Sequence, residues 1–265
     1  MPEQVLTKPV PAIIAATSAP DRGPWEPHPN GVASSYAIVQ TATVRMQQDS
    51  SVRVDSVASH TDVFLAVSPA GRFAGTVTAF STRGEGQVFA TPPGVTVPVT
   101  FSGSITTAGT AQLTLPEPGT ACVSAAATVV LSSRDLWLRL PDTVRLGATW
   151  HDSSAMVVCR DGIPLRLNAR RSYHVERADT TGGSVAIVVA RSQQLVLEGS
   201  GKQWGEDVRV YGTGAGDMML RVSARTGTVL DANGRSTLEL TFTSTRTVQR
   251  VRQQGETSIR LVPTK

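Results

Sequence analysis

Few residues of this chain are spaced for catalysis. Its four histidines are scattered, and none stands in an HxH, HExxH or HxxxH pattern, so no metal site is predicted. His60 with Asp62, and His151 with Asp152 and Ser153, supply the residue types of a hydrolase triad, but no GxSxG nucleophile elbow accompanies them. We therefore predict no catalytic residue, no metal and no cofactor, and a protein that is not an enzyme.

Two glycine-containing segments are interpreted as turns. The run GTGAGD at 212–217 lies between two strand-like segments and no helix follows it, which favours a hairpin turn over a phosphate-binding loop. The dipeptide Asn233-Gly234 also lies between strand-like runs and favours a tight turn.

The chain has two cysteines, Cys122 and Cys159, with no CxxC spacing and no histidine near them. An even pair in a β-rich chain predicts one disulfide, which would close a loop of about 38 residues and add at most roughly 3–4 kcal/mol. Two separate buried thiols are the alternative. A disulfide would fit an exported protein.

The elements that must position these residues are almost all strands. The segment KPVPAIIAATSAPDRGPWEPHPNG holds six of the 16 prolines, which predicts an extended arm over 1–30. From Val32 onward, Val-, Thr- and Ile-rich runs of strand length alternate with turn-forming residues. One stretch differs: TACVSAAATVVLSSRDLW has a possible N-cap in Thr120 and apolar residues at helical spacing, which predicts a helix over about 120–134.

These elements predict an all-β, mainly antiparallel domain over 31–265. It would consist of two meanders, 31–116 and 144–265, joined by a helical connector at 117–143. Because open sheets of ten or more strands tend to curl, we expect a barrel or half-barrel whose hollow takes the helix.

The segment LRLPDTVRLGATW at 138–150 resembles a motif of uncharacterised exported bacterial β-proteins and lipoproteins, in which Leu-Pro is followed by Gly-x-Thr/Ser-Trp. Leu140, Pro141, Gly147 and Trp150 match that motif. The resemblance extends over about 117–265 and implies an envelope location and a partly open sheet, without any established chemistry. From physics alone, Gly147 would permit a positive-φ turn and Trp150 would bury a ring against the sheet.

The net charge of +4 arises in the last 65 residues, where Arg250 and Arg252 lie two apart on one predicted strand face. They are the candidate interaction residues, available to carboxylates or lipid phosphates, and the alternative is a charged edge strand that resists aggregation. The few aromatic residues in this part argue against nucleic-acid binding. No apolar run is long enough to span a membrane.

Two functions remain open for a protein of the periplasm or cell envelope. The first is an accessory subunit that docks on another envelope or membrane protein of a larger assembly. The second is a carrier that shelters a lipid or acylated ligand in its hollow, an idea that rests on fold analogy. An unfilled apolar cavity would favour the carrier, and a filled core would favour the interaction protein.

Overall fold

The structure is a computed structural model and describes residues 23–106, 110–114, 125–160, 162–181, 184–203 and 205–263. Within these residues the chain forms one closed β-barrel of eleven strands. The strands are β1 (Ser34–Gln48), β2 (Ser51–Val67), β3 (Arg72–Gly84), β4 (Val99–Ile105), β5 (Thr110–Thr114), β6 (Thr149–Arg160), β7 (Ile163–Thr181), β8 (Ser184–Gln203), β9 (Glu206–Ser223), β10 (Val229–Thr243) and β11 (Val248–Val262).

Each strand pairs antiparallel with its neighbours along the chain, and β1 closes the sheet by pairing with β11. The exception is the contact between β5 and β6, which is parallel and covers two residue pairs. A parallel contact requires a long crossover between its strands. That crossover contains the helix α1 (Ala125–Leu131), which is followed by a 3₁₀ helix at Arg134–Leu136.

The predicted all-β barrel with one connecting helix is therefore confirmed. The helix ends at Leu131, before the predicted end at 134, since Ser132 and Ser133 form a turn after it. Each serine hydroxyl donates to a carbonyl three residues earlier, to Val129 and Val130, which supports the tight 3₁₀ continuation. The proposed N-cap Thr120 lies outside the described residues.

Side chains alternate along the strands between the barrel interior and solvent, as the period of two requires. The interior contains two apolar clusters. The arm-side cluster surrounds α1 and includes Trp25, Phe73 and Trp137. The distal cluster lies at the other end of the long strands and includes Leu165, Leu197 and Phe242.

The two predicted turns at glycines are wrong. Residues 212–217 lie inside β9, and Asn233-Gly234 lies inside β10. The physical reason is close packing of backbone: a Cβ at Gly234 would lie 2.7 Å from the carbonyl oxygen of Asp217 on the paired strand, closer than Cβ atoms approach. These glycines lie within the strands, where they leave their positions on the inner face of the sheet without side chains, and they do not form turns.

Candidate functional site

A layer of polar and small residues separates the two apolar clusters inside the barrel. Along β8, Ile187 and Val189 belong to the arm-side cluster and Leu195 and Leu197 to the distal one, with Arg191 and Gln193 between them on the same face. Along the other long strands, too, the inward-facing residues that lie between the two clusters are polar or small. Their contributions to the layer are Gln40 and Ala42, Ser59 and Thr61, Asp152 and Ser154, Arg171, Gly212, Gly214 and Gly216, Gly234 and Ser236, and Gln253, Gly255 and Thr257.

The layer is organised by two buried ion pairs. Arg191 donates from Nη2 to Oδ1 of Asp135 at 2.9 Å, and both side chains are less than a tenth exposed. Arg171 donates from Nη1 to Oδ1 of Asp152 at 3.1 Å. The hydroxyl of Tyr173 donates to the other oxygen of Asp152 at 2.6 Å. Both carboxylates are therefore held by guanidinium groups.

The helical connector supplies one half of this arrangement. Asp135 lies in the 3₁₀ helix that follows α1, while the layer residues of the strands come from the wall of the barrel. The hydroxyl of Thr61 on β2 donates to Oγ of Ser132 at 3.0 Å and ties the connector to that wall. The path of the connector through the barrel interior thus brings Ser132 and Asp135 against the layer residues of the strands.

Space remains beside the Asp135–Arg191 pair. A cavity of about 350 Å³, here called the polar chamber, is bordered by the connector and by inner residues of the barrel wall. Its inner lining includes Gln40, Ser59, Ser132, Arg134, Asp135, Arg191, Gln193, Ser236, Gln253, Gly255 and Thr257. The small side chains of β10 and β11 leave this volume open.

The charges around the chamber do not balance. Three guanidinium groups, of Arg134, Arg171 and Arg191 (the inner arginines), face two carboxylates, of Asp135 and Asp152. Burial is the largest influence on the pKa of Asp135 and raises it, but the charges of the inner arginines outweigh burial and hold that pKa below its usual value. Burial lowers the pKa of the Arg134 guanidinium, which forms no ion pair within the described residues. Counted over the described residues, the layer carries one positive charge in excess.

Several buried polar atoms of the layer have no hydrogen-bond partner in the part of the chain that the structure describes. They include Nε of Arg191, Nε of Arg171, Oε1 of Gln193 and Oγ of Ser154. Buried polar atoms are rarely left unpaired, and each such case needs an explanation. Both Arg191 and Gln193 are more than nine-tenths buried and line the chamber.

The 138–150 motif supports this layer from one side. The Trp150 ring stacks on Tyr173 with centroids 4.9 Å apart and planes within 5°, so it backs the tyrosine that binds Asp152. Gly147 has φ +77°, and its N–H donates to the carbonyl of Val175 at 3.0 Å. Leu140 and Pro141 are half-buried near the arm end of the barrel.

The histidines lie away from the layer. His60 contacts Asp62 at 3.2 Å on the outward face, and Nδ1 of His151 lies 3.0 Å from Oγ of the exposed Ser172. In the part of the chain that the structure describes, no three His, Cys, Asp or Glu side chains gather as metal ligands. No helix among the described residues is long and apolar enough to cross a membrane.

The predicted disulfide stays a prediction. Cys122 lies outside the described residues, and so does the side chain of Cys159 at the end of β6.

Comparisons with known proteins leave the family open. No protein-family model matches the chain, and no curated protein matches it. Among solved structures, a DUF1329 family protein from Desulfovibrio piger is similar over 86% of this chain and 87% of its own, with 10% identity and a TM-score of 0.17. The Pseudomonas aeruginosa proteins OccK11 (OpdR) and OccK8 (OprE) are 8% and 7% identical, with TM-scores of 0.24 each. The alignments cover 90% and 89% of this chain and 99% and 100% of those chains. Scores this low transfer neither fold nor function, and the resemblance at 138–150 stays a prediction.

Proposed function

We propose that this β-barrel is an exported, non-enzymatic protein of the cell envelope that docks on an acidic surface of a partner protein. The docking surface is an outward patch formed by Arg45 on β1 and by Arg250 and Arg252 on β11. The observation that carries the proposal is the direct pairing of Arg45 with Arg252 across the two strands. Like charges opposite each other destabilise a sheet, so stability alone does not explain them.

The position of β11 removes the alternative role of these arginines. That strand pairs with β1 on one side and with β10 on the other, so it is no edge of the sheet. Charges that guard an edge against aggregation have no purpose there. Of the three guanidinium groups, only that of Arg252 approaches a carboxylate of the described residues, at 3.5 Å from Glu239 with both side chains more than half exposed.

Apolar side chains flank the outward patch. Val54 on β2 lies opposite Arg45 and is 55% exposed, and Val52 lies opposite Gln47 and is 48% exposed. Tyr211 on β9 is 58% exposed and shares its cross-strand row with Arg250. Arginine and tyrosine beside exposed aliphatic groups are characteristic of protein interfaces.

The carrier is the weaker candidate. An acyl chain requires an apolar cavity, but the polar chamber is lined by charged and amide groups, which would lose hydrogen bonds to a hydrocarbon. A more apolar cavity near the arm, beside Leu136, Leu138 and Leu140, has a volume of about 250 Å³. A larger cavity of about 920 Å³ is bordered by charged residues as well as apolar ones, among them Arg191, Asp217 and Glu256. If mass spectrometry detected a stoichiometric lipid in organic extracts of the protein from its native host, the carrier would become the stronger candidate.

The docking proposal is tested by charge reversal. The double variant Arg250→Glu/Arg252→Glu should keep the melting temperature of the wild type but no longer retain an acidic protein from envelope extract, because its patch now repels acidic groups. The assay is run at low salt, since salt screens the attraction between exposed charges. A control that reverses Arg166 and Arg170, exposed on the outward face of β7, should bind like the wild type. If both variants retain the acidic protein equally well, the outward patch is not the docking surface. If the Arg250/Arg252 variant instead loses binding to anionic phospholipid vesicles, the partner of the patch is a membrane surface.

A further inference from the structure

The polar chamber has the size and the chemistry of a small-molecule site. Its volume of about 350 Å³ is roughly that of ten water molecules, at about 30 Å³ each. Small residues of β10 and β11, Gly234, Ser236, Gly255 and Thr257, make the wall on one side. The space therefore follows from the sequence and does not depend on one rotamer. The feature is independent of the outward patch, which lies on the opposite face of the sheet.

The groups that face the chamber specify an anion. The inner arginines exceed the buried aspartates by one charge, and Arg134 borders the chamber without an ion pair in the described part of the chain. Charged side chains on the outer side of this wall do not balance the positive charge of the inner arginines. Arg235 and Glu256 pair with each other at 3.1 Å on the outward face. Asp217 is likewise directed to solvent. A cation would be repelled, and an uncharged chain would leave the guanidinium groups unpaired.

A second requirement comes from Gln193. Its Oε1 is an unpartnered acceptor two residues from the unpartnered donor Nε of Arg191, on the same inner face of β8. A group that both accepts from the arginine and donates to the glutamine, as a hydroxyl group does, satisfies both atoms. Chloride and fully ionised sulfate accept but cannot donate.

We propose that the polar chamber binds a small oxyanion that also carries a hydroxyl group. The anionic oxygens accept hydrogen bonds from Nε of Arg191 and from the guanidinium of Arg134, and the hydroxyl donates to Oε1 of Gln193. Hydrogen phosphate and small hydroxycarboxylates share this chemistry. Binding supplies the negative charge that the inner layer lacks, and it gives a partner to Nε of Arg191 and to Oε1 of Gln193.

Two matched pairs of anions test the proposal on the full-length chain. Phosphate is compared with sulfate, and lactate with propionate, by titration calorimetry and thermal shift at constant ionic strength. The hydroxyl-bearing member of at least one pair should bind about tenfold tighter than its partner, the contribution of one hydrogen bond to a buried group. Preference in the first pair alone identifies a phosphate group, and preference in the second alone identifies a hydroxycarboxylate.

Two variants locate the binding. Arg134→Gln should weaken binding about tenfold or more while the ligand-free protein melts at nearly the same temperature, because Arg134 is only half-buried and forms no ion pair among the described residues. Gln193→Met should abolish the preference for the hydroxyl-bearing anion. The control Arg209→Gln, at an exposed position of β9, should change nothing.

The proposal is overturned if none of the four anions binds to the wild type. It is equally overturned if Arg134→Gln binds as tightly as Arg209→Gln, or if sulfate and propionate bind as well as phosphate and lactate.

Discussion

Both faces of the sheet carry arginines, with inner ones on β7 and β8 and those of the outward patch on β1 and β11. Two of the inner arginines, Arg171 and Arg191, have side chains that are 4% exposed and donate to aspartates. The patch keeps its guanidinium groups in solvent, where only Arg252 approaches a carboxylate of the described ranges, at 3.5 Å from Glu239. An unpaired buried charge is costly, whereas a solvated one is not. The strand face on which an arginine lies therefore decides whether it organises the barrel or remains free for a partner.

The largest effect should come from breaking a buried pair. Arg191→Leu leaves Asp135 buried without its main partner, and we expect the free energy of unfolding to fall by about 3–5 kcal/mol in urea denaturation. The double variant Arg191→Leu/Asp135→Leu should recover most of that loss, because no buried charge is stranded. A single variant as stable as the wild type would contradict the account of the inner layer.

The next effect depends on pH. Since the inner arginines hold the pKa of Asp135 below its usual value, its ionised form stabilises the fold above the pKa of the unfolded chain, and this contribution is lost as the pH falls through the folded pKa. Asp135→Asn should cost about 1–3 kcal/mol at pH 7, and the gap to the wild type should shrink below about pH 4. The exposed Asp142→Asn serves as the control. If the difference in unfolding free energy between the wild type and Asp135→Asn stayed constant down to acid unfolding, the charge of the Asp135 carboxylate would not contribute to stability.

A smaller effect tests the glycines that make room beside the inner arginines. A Cβ at Gly216 would lie 2.8 Å from the carbonyl oxygen of Arg235 and 3.1 Å from Nε2 of Gln193. Gly216→Ala should therefore destabilise by about 1–2 kcal/mol, the usual cost of overpacking. Gly84→Ala meets only the flexible Gln87 side chain and should cost less. The comparison requires chemical denaturation of both variants, and a larger loss at Gly84 would contradict it.

The smallest effect is expected on the outward face. Arg45→Gln removes the like charge opposite Arg252 and should leave stability unchanged or raise it by up to about 0.5 kcal/mol, more at low salt. Thermal melts at two salt concentrations, with Arg209→Gln as reference, provide the measurement. A marked loss of stability in Arg45→Gln alone would mean that the patch is structural.

Much of the barrel could be predicted from the sequence, because strand-length apolar runs and the period of two are local signals. The lengths of β8 and β9 could not, since the glycine run in β9 resembles a turn until its backbone contacts across the sheet are known. Arg191 and Gln193 carried an unused signal: they continue the inward face set by Leu195 and Leu197. Arg171 does the same beside Ala169 and Tyr173.

Asp135 had no such signal. It comes from the connector after α1, and only the folded path of that segment brings it to Arg191. The excess positive charge and the chamber follow from that long-range contact, so neither could be found from local spacing. The outward patch, in contrast, was recognisable from Arg250 and Arg252, although its partner Arg45 on β1 required the closure of the barrel.

Anomalous scattering from bound arsenate gives the most direct test of the central claim, that the inner arginines form an anion site and the outward ones do not. Arsenate keeps the shape and the protons of phosphate, and selenate matches sulfate. Crystals soaked in arsenate should show an arsenic peak in the polar chamber, with arsenate oxygens within hydrogen-bonding distance of Arg191 and Gln193. Crystals soaked in selenate should show a weaker peak or none. An arsenic map with peaks only at the outward patch would contradict the account, and so would a chamber that stays empty in crystals soaked in arsenate and in crystals soaked in lactate.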